Sequence, residues 1–139
     1  MTKGFSSDDV VSKLRQLKLT YIQNQVGADP AQLPQHFQEF LGYATLLYDH
    51  YASTLRHYRQ TEAQVIKEEY EEREKINEGA EKSSDRMTVT EMDKRIAIRL
   101  SDIKAQRDYL EVEVKGATLH INGCQSLMKN WGDEAKGIR

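Results

Sequence analysis

The chain has 139 residues, a single cysteine, a net charge of −2, 30% charged and 8% aromatic residues. That length fits one domain, residues 1–139; the lone Cys124 excludes an internal disulfide and suits a reducing cytoplasm; the near-neutral charge excludes an overall basic signature for nucleic acid, so any such contact needs a local patch or a ring that repeats one. The opening MTKGFSSDDVV lacks the apolar stretch of a signal peptide, and no apolar run reaches the ~18 residues of a membrane span, so neither secretion nor spanning is expected.

Three helices and no strand are expected. The first covers about residues 7–26. Ser6 or Ser7 can cap it, Asp8 and Asp9 suit the positive end of its dipole, and Val10, Val11, Leu14, Leu17, Tyr21 and Ile22 form its apolar stripe. VGADPAQLP ends it. The second helix, about 34–78, opens near Pro34, since proline fits a helix's first position. Its heptads place Phe37, Ala44, Tyr51, Tyr58 and Val65 in one seam slot and Leu41, Tyr48, Leu55, Glu62, Glu69 and Ile76 in the other. Tyr48, Tyr51 and Tyr58 therefore face a partner helix, while Tyr43, His50 and His57 flank the seam.

A loop follows, with Gly79 as the helix stop. Thr88 and Glu91 have capping-box spacing at the start of the third helix, about 88–131. Its slots read Ile96, Leu100, Ile103, Arg107, Leu110, Val114, Ala117, Ile121, Cys124, Met128 and Trp131, interrupted only by Arg107. Such spacing over five heptads is that of coiled-coil packing. Two long helices of similar length and a short loop make an antiparallel hairpin, with 132–139 as a tail.

A two-helix hairpin buries one face of each helix. Leu47, Tyr43 and the first helix's stripe still need cover, and Gly116 and Gly123, one heptad apart, each cost about 1 kcal/mol in a helix interior unless another backbone comes close. The expected solution is self-association into a ring or bundle, with Leu47, Gly116, Gly123 and Trp131 at the interface. The alternative is that the first helix folds back and completes a three-helix bundle within one chain.

No nucleophile elbow, P-loop or dinucleotide fingerprint is present, and no catalytic residues are assigned. His120 and Cys124, at i and i+4, can share a metal, but no further ligand is evident, so no metal and no cofactor are assigned. Basic residues cluster weakly at Lys13, Arg15 and Lys18, at Arg56 and Arg59, and at Lys82 and Arg86 through Lys94, Arg95 and Arg99. Against them stands EAQVIKEEYEEREKINE, residues 62–78, with seven acids and three bases. Those acids can pair with Lys94, Arg95 and Arg99 across the hairpin, or dock a basic partner.

The pattern resembles the phage recombination mediator proteins of the UvsY type. LPQHFQEFL (33–41) opens the first long helix as family members do, TEMD (90–93) opens the second, SDIKAQRDYLEVEV (101–114) is similar to the family's acid–apolar–Lys–x–Gln stretch and following tyrosine, and LMKNW (127–131) to its closing region. The resemblance implies an all-helical ring of six or seven subunits, without catalytic activity, in the cytoplasm of a phage-infected bacterium. It implies binding to single-stranded DNA, help in displacing the single-strand-binding protein, and loading of a strand-exchange recombinase. Where the family carries a Lys/Arg-rich, Tyr-containing motif, this chain has VIKEEYEEREKINEG, onto which Lys67, Tyr70, Arg73 and Lys75 map loosely and glutamates take the other positions. The expected DNA contacts are Lys67, Arg73, Lys75, Lys82 and Arg86 near the hairpin tip, then Arg56, Arg59 and Tyr43. The rival readings are a coiled-coil adaptor, scaffold or inhibitor that binds protein and no nucleic acid, and a ring-forming packaging component, for which residues 1–30 offer no convincing helix-turn-helix.

Overall fold

The computed structural model describes residues 5–137. Three α-helices account for most of them: α1, Ser7–Gln23; α2, Leu33–Gly79; and α3, Val89–Lys136, with single 3-10 turns at Val26–Ala28 and Ser83–Asp85. Among the described residues there is no strand. The fold is an all-α antiparallel hairpin of α2 and α3 with a short N-terminal helix. α3 continues through most of the expected tail, whose positions 138 and 139 lie outside the described residues.

The helix ends follow from local chemistry. The Asp9 N–H donates to Ser6 Oγ (3.2 Å) and the Ser6 N–H to Asp9 Oδ2 (3.3 Å), a reciprocal capping box that satisfies two otherwise orphaned amides. α1 stops three residues earlier than expected: Asn24 closes it, and Gln25 takes a left-handed conformation at φ 49° that redirects the chain. Asp29 then accepts from the Ala31 N–H (2.9 Å), an Asx turn that leads into α2. At α3 the Glu91 N–H donates to Thr88 Oγ1 (3.1 Å), the first half of the expected box.

The backbone divides into two compact units, Met1–Tyr51 with Leu110–Arg139, and Ala52–Tyr109, through both of which α2 and α3 run. In the first unit α1 packs on its own chain's long helices. Val10, Val11 and Leu14 are buried, as are Phe40, Ala44, Leu47, Leu110, Ala117 and Ile121; each large aliphatic side chain so buried contributes roughly 2 kcal/mol. Phe5 meets Tyr43 edge-on at 5.9 Å, His50 Nε2 reaches the Phe5 carbonyl at 2.9 Å, and Arg15 forms an ion pair with Glu113. Ile22, placed on the α1 stripe by its spacing, is instead 71% exposed because α1 ends one residue later and the chain turns away.

This packing corrects part of the expected subunit interface. Leu47 has no exposed surface within the single chain, so it needs no second copy to cover it. Trp131 packs against the buried cluster of Val26, Leu33 and Cys124. At Gly116 the nearest foreign atom to an added Cβ is Lys18 Nζ of α1, 3.3 Å away, so the close neighbour there belongs to the same chain. Of the expected interface residues, Gly123 keeps open space around it, with nothing within 4 Å.

In the second unit α2 and α3 meet through Val65, Met92 and Leu100, all buried, and through two polar layers that occupy seam slots. Arg107, the one interruption in the α3 pattern, lies 4.3 Å over the Tyr58 ring, and the Tyr58 hydroxyl donates to Glu62 at 2.9 Å. Glu69, 3% exposed, faces Arg99 Nη1 at 3.1 Å and Arg95 Nε at 2.9 Å. The second contact is an ion pair without the alignment of a hydrogen bond, and Glu69 Oε2 has no directed donor. Glu68 also binds Arg99, at 2.6 Å, which with Gln64 holds its carboxyl below the usual range.

Candidate functional site

The hairpin tip carries five of the seven basic side chains expected to contact DNA: Lys67, Arg73, Lys75, Lys82 and Arg86. Its loop is fastened to the end of α2 by Asn77, whose Oδ1 accepts from the Met87 N–H at 2.9 Å, and by Arg73, whose Nε donates to the Met87 carbonyl at 3.0 Å. Arg73 is therefore partly buried and holds the loop, a structural task the sequence did not reveal. Arg73 and Arg86 line one shallow groove with Glu74, Asn77 and Glu78. Lys67, Lys75, Lys82 and Arg86 are exposed, and among the described residues they make no ion pair. Tyr70 is 51% exposed and stands one helical turn from Lys67 on α2. Arg56 and Arg59 are exposed in this same unit, whereas Tyr43 lies in the other, its ring against Phe5.

The acids expected to oppose a phosphate chain are partly offset. Arg95 and Arg99 pair with Glu68 and Glu69, as the antiparallel register requires. Glu71, Glu72, Glu74 and Glu78 remain exposed beside the bases.

A second cluster lies in the first unit. His120 and Cys124 share one face of α3, and α2 brings His36 up to them. His36 Nε2 lies 2.8 Å from His120 Nε2, and Cys124 Sγ lies 3.7 Å from the same nitrogen. The three ligand-bearing atoms all fall within 4.8 Å of one another. His36 is 7% and Cys124 1% exposed, and His120 is half-buried. Tyr21 of α1 closes the cluster, its ring centroid 5.0 Å from His36 and 4.8 Å from His120, while the Phe40 ring packs against His120 at 4.4 Å, tilted by 53°. Tyr21 reaches this position across Gly27: a Cβ there would lie 2.9 Å from Tyr21 Cζ and closer still to its hydroxyl.

Burial governs the protonation of these groups. It pushes the His36 imidazole down, and it does the same to His120, with His36 and Lys18 adding positive charge, to about 4. Burial pushes the Cys124 thiol up. Both imidazoles are thus neutral near pH 7, each with one donor and one acceptor nitrogen, and the Nε2 of one donates to the Nε2 of the other.

The sequence located two of these three residues. His36 escaped because its heptad slot borders the seam expected for α2; the presence of α1 turns α2 so that Leu33, His36, Phe40 and Leu47 are buried, while Leu41 is 37% exposed. No family model matches the chain, and no curated protein or solved structure does either.

Proposed function

We propose that this chain is a non-catalytic, self-associating protein that binds single-stranded DNA at the hairpin tip, in the manner of a recombination mediator that loads a strand-exchange recombinase. The observation that carries the reading is Tyr70: a half-exposed aromatic ring one turn from the exposed Lys67, on a tip that also presents Lys75, Lys82 and Arg86. A ring beside cations is the arrangement that stacks a base while holding its phosphate, and one stacked base is worth about 1–3 kcal/mol. Three or four cations per chain bind a strand weakly, and repetition across an assembly raises avidity steeply.

A second reading, a helical adaptor that binds protein alone, draws on the apolar residues α3 turns to solvent: Ile98, Val112 and Leu119 are 73%, 67% and 73% exposed. The two readings separate in one titration. Fluorescence anisotropy with a labelled oligo-dT is expected to show salt-sensitive binding. Tyr70→Ala should weaken it about tenfold or more. The triple variant Lys67→Glu/Lys82→Glu/Arg86→Glu should weaken it further and reduce the steepness of log K against log salt by about 2, at ~0.7 for each phosphate no longer neutralised. Absence of binding at low salt, or unchanged affinity and slope in both variants, rejects the DNA reading in favour of the adaptor.

A further inference from the structure

The geometry points to a metal site that the sequence alone does not disclose: His36, His120 and Cys124 form a three-ligand centre for a zinc-class divalent ion, tying α2 to α3 beneath Tyr21.

Donor chemistry is the first argument. Two imidazoles and a thiolate are the set that borderline-soft transition ions prefer over magnesium or calcium, which take oxygen ligands. No carboxylate belongs to the cluster. Spacing is the second argument. Bond lengths of about 2.05 Å to nitrogen and 2.3 Å to sulfur in a tetrahedron require about 3.3 Å between nitrogens and about 3.6 Å from nitrogen to sulfur. The His120 Nε2–Cys124 Sγ separation of 3.7 Å already meets this, the His36–His120 separation of 2.8 Å has to widen by about half an ångström, and the His36–Cys124 pair, within 4.8 Å, has to close by at most about 1.2 Å. Both Nε2 atoms point at each other, so an ion entering between them replaces one hydrogen bond with two coordinate bonds.

Placement is the third argument. His120 and Cys124 are fixed one turn apart on a single helix, and His36 comes from a different helix, so the ligands converge through the tertiary fold. Tyr21 and Phe40 wall the cluster with aromatic surface, which limits water and strengthens coordination. Binding releases the Cys124 thiol proton to solvent, and the ion with one thiolate and two neutral imidazoles leaves a net charge of +1. Three protein ligands leave a fourth position for water or an added donor.

The test uses the full chain, stripped with a chelator and titrated with Co2+ as the spectroscopic probe. Expected are a near-ultraviolet thiolate-to-cobalt charge-transfer band and intense visible bands of a tetrahedral ion, saturating at about one equivalent per chain and bleached by Zn2+. Cys124→Ser should abolish the charge-transfer band. His36→Gln and His120→Gln should each lower affinity at least tenfold, with helix content by circular dichroism unchanged. Zn2+ should raise the wild-type melting midpoint, and a chelator should reverse the rise. If the wild-type chain gives no charge-transfer band, or if visible bands of undiminished affinity persist in His36→Gln, the site is rejected. The wild-type titration decides the matter even where a variant fails to fold, and its result is independent of DNA binding.

Discussion

At the scale of single residues, the His36–His120 pair shows how burial becomes a pH response. In an unfolded chain a histidine takes up a proton near pH 6.5; in the fold His120 resists until about 4, chiefly because it is desolvated and secondarily because His36 and Lys18 lie near. The shift is downward, so the neutral imidazole stabilises the fold above pH 6.5, and the unfolded state binds more protons as the pH falls toward 4. Metal-free protein should lose stability across that window, measured as the thermal midpoint against pH in the presence of a chelator. His120→Gln, which cannot titrate, should give a flatter curve between pH 6.5 and 5, above the range in which carboxylates contribute. Equal slopes for the two proteins would show that the pair does not govern acid sensitivity.

At the scale of elements, the exceptions to the heptad pattern explain each other. Arg107, Glu62 and Glu69 occupy slots where an apolar side chain is expected, and in the hairpin each finds a complementary partner on or across the seam: Arg107 the Tyr58 ring, Glu62 the Tyr58 hydroxyl, Glu69 the guanidinium groups of Arg95 and Arg99. Such layers stabilise little on balance, because desolvation offsets most of the attraction, but they select one register among those an apolar seam would permit. Glu69→Leu should therefore leave thermal stability unchanged or raised, whereas Arg95→Ala/Arg99→Ala should lower it by leaving the buried Glu69 carboxylate without its counter-charges. Urea denaturation of both variants checks this, and a large loss for Glu69→Leu would show the ion cluster to be a net stabiliser.

The same elements mark what the sequence could and could not express. The α3 seam is readable slot by slot, as are a serine cap at Ser6 or Ser7, the stop at Gly79 and the pairing of acids with Arg95 and Arg99, because each depends on spacing within a helix or on the antiparallel register. The buried face of the first half of α2 is not. Three helices meet there, and only the position of α1 decides that His36 and Phe40 turn inward while Leu41 does not. Tyr21 belongs to the α1 stripe by its spacing, yet its role over the histidines depends on the turn at Gln25 and the space left by Gly27. Arg73 conceals its structural task for a related reason: its bond to the Met87 carbonyl exists only once the loop has folded back.

At the scale of the whole molecule, the case for self-association rests on different residues from those the sequence nominates. Leu47 and Trp131 are occupied within the chain, but in the first unit Val112 and Leu119 are each more than two-thirds exposed and stand seven residues apart on α3. Apolar side chains left in water at heptad spacing are the sequence periodicity of a helix that packs on another helix. Val112→Lys/Leu119→Lys should keep the fold, since both side chains already face solvent, and should shift the mass measured by light scattering toward that of one chain. If assembly is what gives the tip its grip on a strand, the same variant should lose a hundredfold or more in affinity for a long oligo-dT, with little change for one too short to reach two subunits, because avidity contributes factors of about 10²–10⁴ with no new interaction at any one site. A wild-type chain that scatters as a monomer at working concentrations would remove the multivalent mechanism. A dissociated variant that still binds long oligonucleotides at full strength would remove the link between assembly and DNA.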